Sequence, residues 1–171
     1  MRLNELSFRR ASDDDALLLA EVAVEGWGTY RSFAPPGWTP ATLDEEHERV
    51  LATLRQPSAW CEVAMAGSEL AGHAIVLAAS EARIVDETPG LAHLFQLMVR
   101  PPLWGSGLAG RLHADALASA TAAGFHAMRL FTPAPHARAR RFYEREGWAP
   151  HREPELDEAF GMEIVEYRRA L

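Results

Sequence analysis

The chain has 171 residues, 48% of them hydrophobic and 24% charged, with a formal net charge of −7. This length and balance suit one globular domain over residues 1–171 with a sizeable core. They argue against a nucleic-acid binder, which needs a basic face, and no apolar run reaches membrane-spanning length. Met1–Arg10 lacks the apolar stretch of a signal peptide, so a cytoplasmic protein with no membrane partner is expected. Cys61 is the single cysteine, which rules out an internal disulfide, and no Cys/His cluster has zinc spacing, so no metal is expected.

Leu6–Arg10 reads as a short strand. Ser12 then caps a helix whose first turn carries Asp13, Asp14 and Asp15, with an apolar face at Leu17, Ala20, Val24 and Trp27. A loop over Gly28–Pro40 holds Tyr30, Phe33 and Trp38, and a second helix runs from Thr42 or Asp44 to near Arg55. Trp60–Ala66 and Glu69–Ala79 form a hairpin over Gly67-Ser68. Ala92–Arg100 is a third long strand, nearly all apolar, as expected for a strand buried on both faces. A helix from Gly105 to Ala123 packs through Leu108, Leu112, Ala116 and Ala120 and ends at Gly124. Ala127–Thr132 is a strand, and Pro135 opens a helix with Ala139 and Phe142 near one face. Trp148–Arg152 and Met162–Leu171 are the last two strands, parted by the acidic loop Glu153–Phe160. The order β-α-α-β-β-β-α-β-α-β-β describes a mixed sheet of seven strands with helices on both faces.

Met98–Leu112 is the segment richest in chemistry. A buried strand breaks at Pro101-Pro102 and feeds a glycine-rich turn at a helix start, where N–H groups without internal partners and the positive end of the helix dipole bind anions. Gly105-Ser106-Gly107-Leu108-Ala109-Gly110 matches the dinucleotide fingerprint G-x-G-x-x-G. Its context does not: no acidic residue stands about twenty residues on, and too little chain follows for the remaining strand–helix units. The same residues, read from Trp104 to Ala109, resemble motif A of the GNAT acyltransferases, Q/R-x-x-G-x-G/A, with Trp104 where Arg or Gln is usual. Leu130–Trp148, LFTPAPHARARRFYEREGW, resembles that family's fifth strand and fourth helix, with Ala139, Phe142, Tyr143, Gly147 and Trp148 in place and His136 for the usual Asn. The two blocks keep the family's order and separation. The resemblance is specific from Ala92 to Trp148 and loose before residue 60.

The resemblance implies an α/β (α+β) fold, a mixed and mostly antiparallel seven-stranded sheet with a splayed parallel pair, Ala92–Arg100 and Ala127–Thr132. It implies an N-acetyltransferase using acetyl-CoA, with a small-molecule amine or a protein amino group as acceptor, and it leaves room for a homodimer. A non-catalytic acyl-CoA-binding or sensing module on the same fold is the rival. The pantetheine arm is expected to pair with the backbone of Leu97, Met98 and Val99 like an added strand. Trp104, Gly105, Ser106, Gly107, Leu108, Ala109, Gly110 and His136 complete the expected cofactor site. Arg138, Arg140 and Arg141, with Arg100 and Arg111 flanking the glycine loop, would make a local positive pocket in an acidic chain.

Acyl transfer to an amine needs a neutral amine, donors for the developing oxyanion and help for the departing thiolate. The N–H of Val99 is one candidate oxyanion donor. Tyr143 takes the family's place for the general acid beside the sulfur. His93, in His93-Leu94-Phe95-Gln96-Leu97-Met98-Val99, stands where many relatives carry Glu in E-L-x-x-L-x-V, and is a candidate base; Glu81, Glu87 and a water chain are alternatives. Trp27, Tyr30, Phe33 and Trp38 either line an acceptor pocket that holds a cation or serve as loop packing. Glu155, Asp157 and Glu158 either attract an amine or form a solvated turn.

Overall fold

The computed structural model describes residues 3–171, so Met1 and Arg2 of the expected domain and of the leader reading lie outside the described residues. Strand β1 is Ser7–Arg10. The Asp15 carboxylate then accepts from the Ser12 N–H at 2.8 Å and from both Arg9 guanidinium nitrogens, which closes the entry to helix α1, Ala16–Gly28. The buried face of α1 is Ala16, Leu19, Ala20, Val22, Ala23 and Trp27, rotated from the expected one, and Leu17 is 45% exposed. Three acids wound into a 3₁₀ turn over Asp13–Asp15 start the α-helix late and shift its phase. Helix α2, Leu43–Leu54, opens with a capping box between Thr42 and Glu45.

Strands β2, Trp60–Ala66, and β3, Glu69–Ala78, make the expected hairpin, and β4 is Leu91–Val99. Helix α3 spans Leu108–Ala122. It starts three residues later than the glycine run suggests, because Gly105 and Gly107 sit at φ of 84° and 89°, outside the helical region. Strand β5 is Ala127–Pro133 and helix α4 is Ala137–Arg145. The expected strand Trp148–Arg152 shrinks to β6, Ala149–Pro150, where Pro150 brings no N–H to a ladder. The acidic loop contributes a short β7, Glu155–Asp157, before β8, Met162–Ala170.

One eight-stranded sheet results among the described residues, in the order β1-β2-β3-β4-β5-β8-β6 with β7 also on β8. Every pairing is antiparallel except β4–β5. That parallel pair is short: Leu91, Ala92 and His93 face Ala127, Met128 and Arg129, and the ladder stops there. Just beyond it β4 bulges. Ile75 pairs with Gln96 and Val76 with Leu94, leaving Phe95 as the extra residue. The two strands then part.

Two apolar layers hold the helices. Leu108, Leu112, Ala116 and Ala120 of α3 pack on Ala74, Val76, Ala92, Leu94, Met128 and Leu130. On the opposite face Leu19, Val22 and Val50 of α1 and α2 pack on Cys61, Val63 and Ile75, with Phe95 and Met98 at the margin. Burying a side chain of Leu size in such a layer stabilises the fold by about 1.5–3 kcal/mol. No helix among the described residues is long and apolar enough to cross a membrane.

Candidate active site

The splay opens a cavity of about 640 Å³, within the range usual for ligand pockets. Its floor is β4 from Leu94 through the bulge to Val99, its walls are the end of β5 and helix α4, and its far end is the glycine loop with the start of α3. Leu97, Met98 and Val99 pair with β3 on one edge, through Ala74, His73 and Gly72, and face the cavity on the other. The ladder to β5 has ended before these residues, which leaves main-chain groups for a ligand to pair with.

Gly105, Gly107, Leu108, Ala109 and Gly110 all line the cavity. A Cβ on Gly105 would meet nothing within 4 Å, so open space lies above that backbone. Ser106 does not line it. Its hydroxyl turns back and accepts from the Leu108 N–H at 3.3 Å, which leaves the following N–H groups of the first turn facing outward. Trp104 lines the cavity with its indole N–H donating to the Val99 carbonyl at 2.8 Å, while the Arg138 guanidinium lies 4.1 Å from the centre of its ring. Arg100 and Arg111 are committed elsewhere. Arg100 pairs with Glu25 and donates to the Leu70 carbonyl, and Arg111 pairs with Asp115 at 2.6 Å and covers Phe8. The positive lining comes from Arg138, Arg141 and Arg145 instead. Their i, i+3, i+7 spacing on α4 is the signal that points to Arg145, which a reading of the Arg138–Arg141 cluster alone passes over.

His136 caps α4, its Nδ1 accepting from the Ala139 N–H at 3.5 Å. The ring packs against Tyr30 and Phe33, with centroids 4.9 and 5.0 Å away. Burial, with help from the Arg138 charge, pushes its pKa down to about 4, so at neutral pH it is an uncharged part of the wall. Tyr143 reaches the cavity from α4, its ring set against Phe142, Trp148 and Tyr167. Burial raises its pKa, and the neighbouring Tyr30 phenol raises it further. Burial raises the pKa of Tyr30 too. Both phenols therefore stay protonated at neutral pH, each with an O–H available to donate.

Tyr30 lines the cavity, whereas Phe33 and Trp27 do not. Phe33 stacks on Tyr30 and His136 as loop packing. Trp27 is 5% exposed and lies beneath the Arg49 guanidinium at 4.7 Å. Trp38 ties its loop to the acidic one by donating to the Phe160 carbonyl at 2.8 Å.

His93 is 7% exposed and does not line the cavity. It sits in the stretch where β4 still pairs with β5, with its ring between Phe95 and Phe131. Burial first, then the Arg129 charge, push its pKa down to about 3. The structure thus separates His93 from Tyr143, Tyr30 and the glycine loop. A second cavity of about 400 Å³ shares Phe131 with the first and is bounded by the acidic loop. Glu153, Glu155, Asp157, Glu158 and Glu166 line it, against Arg83 and Arg152, and both arginines are ion-paired within that lining.

A bulged strand, an anion-binding helix start and a phenol donor along one channel can hold an elongated polyanion and place a reactive group beneath Tyr143. Comparisons with known proteins agree in fold. The model of the acetyltransferase (GNAT) family matches residues 24–148. A Desulfovibrio desulfuricans protein assigned to the GNAT acetyltransferases is 24% identical, with a TM-score of 0.72 over 96% of this chain and 98% of that one. The PaiA N-acetyltransferase of Thermoplasma acidophilum, solved in complex with coenzyme A, is 19% identical with a TM-score of 0.71 over 94% and 97% of the two chains. A GCN5-related N-acetyltransferase from Kribbella flavida is 19% identical with a TM-score of 0.71 over 98% and 99%. No curated protein matches the sequence.

Proposed function

The chain belongs to the GNAT acetyltransferase family, and on that premise we propose that it moves an acetyl group from acetyl-CoA to a primary amine of a small molecule or protein by direct attack. One observation carries the reading: the edge of Leu97–Val99 that β5 leaves without a strand partner, the glycine turn into α3 and the Tyr143 phenol line a single cavity. The helix start, with Arg138 and Arg141 beside it, suits a pyrophosphate. Acetyl-CoA supplies the activated acetyl carbonyl when bound. We take residues 1–171 as one domain, a reading supported by helices packed on both faces of one sheet across the described residues 3–171.

Three tasks fall to the protein. The edge of β4 orients the thioester through main-chain pairing, and a strand N–H such as that of Val99 meets the charge that develops on its oxygen. The Tyr143 O–H donates to the departing sulfur. A phenol with a raised pKa gives up its proton reluctantly to a thiolate of pKa about 8.5, so this donation is a hydrogen bond that strengthens as charge builds rather than a full transfer. The amine must arrive neutral. With a pKa of about 10 only one in about a thousand is free at pH 7, which costs about 4 kcal/mol. His93 lies outside the cavity with a depressed pKa, so we assign the amine's proton to solvent water entering from the side of Tyr30 and Phe131.

The test is thiol release from acetyl-CoA against a panel of primary amines, with binding measured by calorimetry alongside. Amine-dependent thiol release is expected. Binding with no release across the panel would support the rival binding or sensing module instead.

A further inference from the structure

The chemistry above leaves unused a buried polar cluster beside the β4 bulge. On the face covered by α1 and α2, Glu46 of α2, Gln96 of β4 and His73 of β3 are all buried, Glu46 and His73 completely. The Gln96 amide joins them. Its Nε2 donates to Glu46 Oε1, and its Oε1 accepts from His73 Nε2 at 2.8 Å. With its Nε2 toward Glu46, the amide presents its oxygen to His73, which assigns the proton of His73 to Nε2. Arg49, on the same helix, pairs with Glu46 and lies over the rings of Phe95 and Trp27, 5.6 and 4.7 Å from their centres.

The position of Gln96 gives the cluster its meaning. It is the residue immediately after the bulged Phe95. An amide buried among apolar side chains is tolerated only where its hydrogen bonds are made. Sliding β4 by one residue to erase the bulge would carry Gln96 to the opposite face, among the α3 contacts, and strand Glu46 and His73 without it. Two links therefore run from Glu46 to the bulge, one through the Gln96 amide and one through Arg49 to the Phe95 ring. Phe95, Gln96 and Leu97 line the cavity, and the bulge lies where β4 leaves β5.

We propose that Glu46 is a positioning residue for acetyl-CoA: through Gln96 and Arg49 it pins the β4 bulge and so holds the backbone of Leu97–Val99 in place for pairing with the pantetheine arm. The inference rests on the acetyl-CoA reading of the cavity. Its test is the affinity for coenzyme A, measured by calorimetry on variants whose fold is checked by circular dichroism. Glu46→Met and Gln96→Met keep the volume and remove the links, and each is expected to weaken binding at least about tenfold in the folded protein. Glu46→Gln retains an oxygen for the Gln96 donor and is expected to stay within about threefold of the parent. A merely structural cluster would lower the melting temperature and leave the affinity of the folded fraction unchanged, and that result for the two Met variants overturns the proposal. If neither Met variant folds, Gln96→Glu and the exchange Glu46→Gln with Gln96→Glu decide it. The single change opposes two carboxylates, while the exchange restores a donor and acceptors in the same places. Recovery of affinity by the exchange supports the pin, and equal affinities in the two overturn it. A parent protein that fails to bind coenzyme A at all overturns the acetyl-CoA reading itself.

Discussion

The two ends of the cavity are built from different materials. The glycine-loop end, from Trp104 to Gly110, offers main chain: positive-φ glycines, a bare helix start and open space over Gly105. The opposite end, around Tyr30, Phe95, Gln96 and Phe131, offers side chains gathered from the 3₁₀ turn after α1, from β4 and from β5, and its shape depends on a bulge and a buried polar cluster. A backbone site of this kind tolerates wide change in side chains but not a change in φ. A side-chain site responds in the reverse way.

Gly107→Glu should break the first end most severely. It places a carboxylate at a phosphate position and a side chain at φ 89°, and coenzyme A affinity should fall about 100-fold or more in a protein that still folds. Calorimetry of the folded variant checks it, and an unchanged affinity would reduce the loop to a turn. Tyr143→Phe should lower turnover by about 100-fold, the low end for loss of a hydrogen-bond donor aimed at developing charge, with coenzyme A affinity unaltered. Unchanged turnover, with the chemical step shown to limit the rate, would make Tyr143 a packing residue. Arg138→Ala should weaken coenzyme A by roughly three- to tenfold, since it removes one exposed charge and its stacking on Trp104. A rise in ionic strength should narrow that difference.

His93→Gln should do least to the reaction. The rate should follow the acceptor's own pKa in both proteins, and comparison of amines of different pKa reveals it. A limb near pH 6.5 present only in the parent would return His93 to the reaction. Stability should respond where the rate does not. In the fold His93 is neutral down to about pH 3, whereas an unfolded histidine takes up a proton below about 6.5. The unfolded chain binds more protons between those values, so the contribution of His93 is complete above pH 6.5 and is lost as pH falls through the window. His73 acts in the same direction, with its pKa pushed down to about 4 by burial. Glu46 opposes them: burial raises its pKa to about 7, so its contribution is present at low pH and is lost as pH rises from about 4.5 to 7. Denaturant unfolding of His93→Gln should show a shallower loss of stability between pH 6.5 and 4.

Most of the strand–helix order and the whole glycine loop are readable from residue types, because only glycine occupies positive φ cheaply and because the period of the apolar positions separates strands from helices. The phase of α1 is not, since a capping box and 3₁₀ turn consume Asp13–Asp15 before the α-helix begins and leave Leu17 outside. The placement of His93 fails to show for a related reason. Strict alternation along His93-Leu94-Phe95-Gln96-Leu97 takes no account of an extra residue at Phe95, and residue types do not show that β4 still pairs with β5 at His93, one residue before the cavity opens at Leu94. The Glu46–Gln96–His73 cluster joins residues 50 and 23 positions apart, with no local pattern to announce it.

Acetyl transfer to an amine is tested most directly by acetyl-CoA carrying a deuterated acetyl group, incubated with the protein and an amine panel, with free thiol and amide product quantified together. The account predicts labelled amide and thiol in equal amounts for at least one primary amine, with both reduced together in Tyr143→Phe. Thiol released without labelled amide, or coenzyme A bound with neither product formed from any amine, would contradict it.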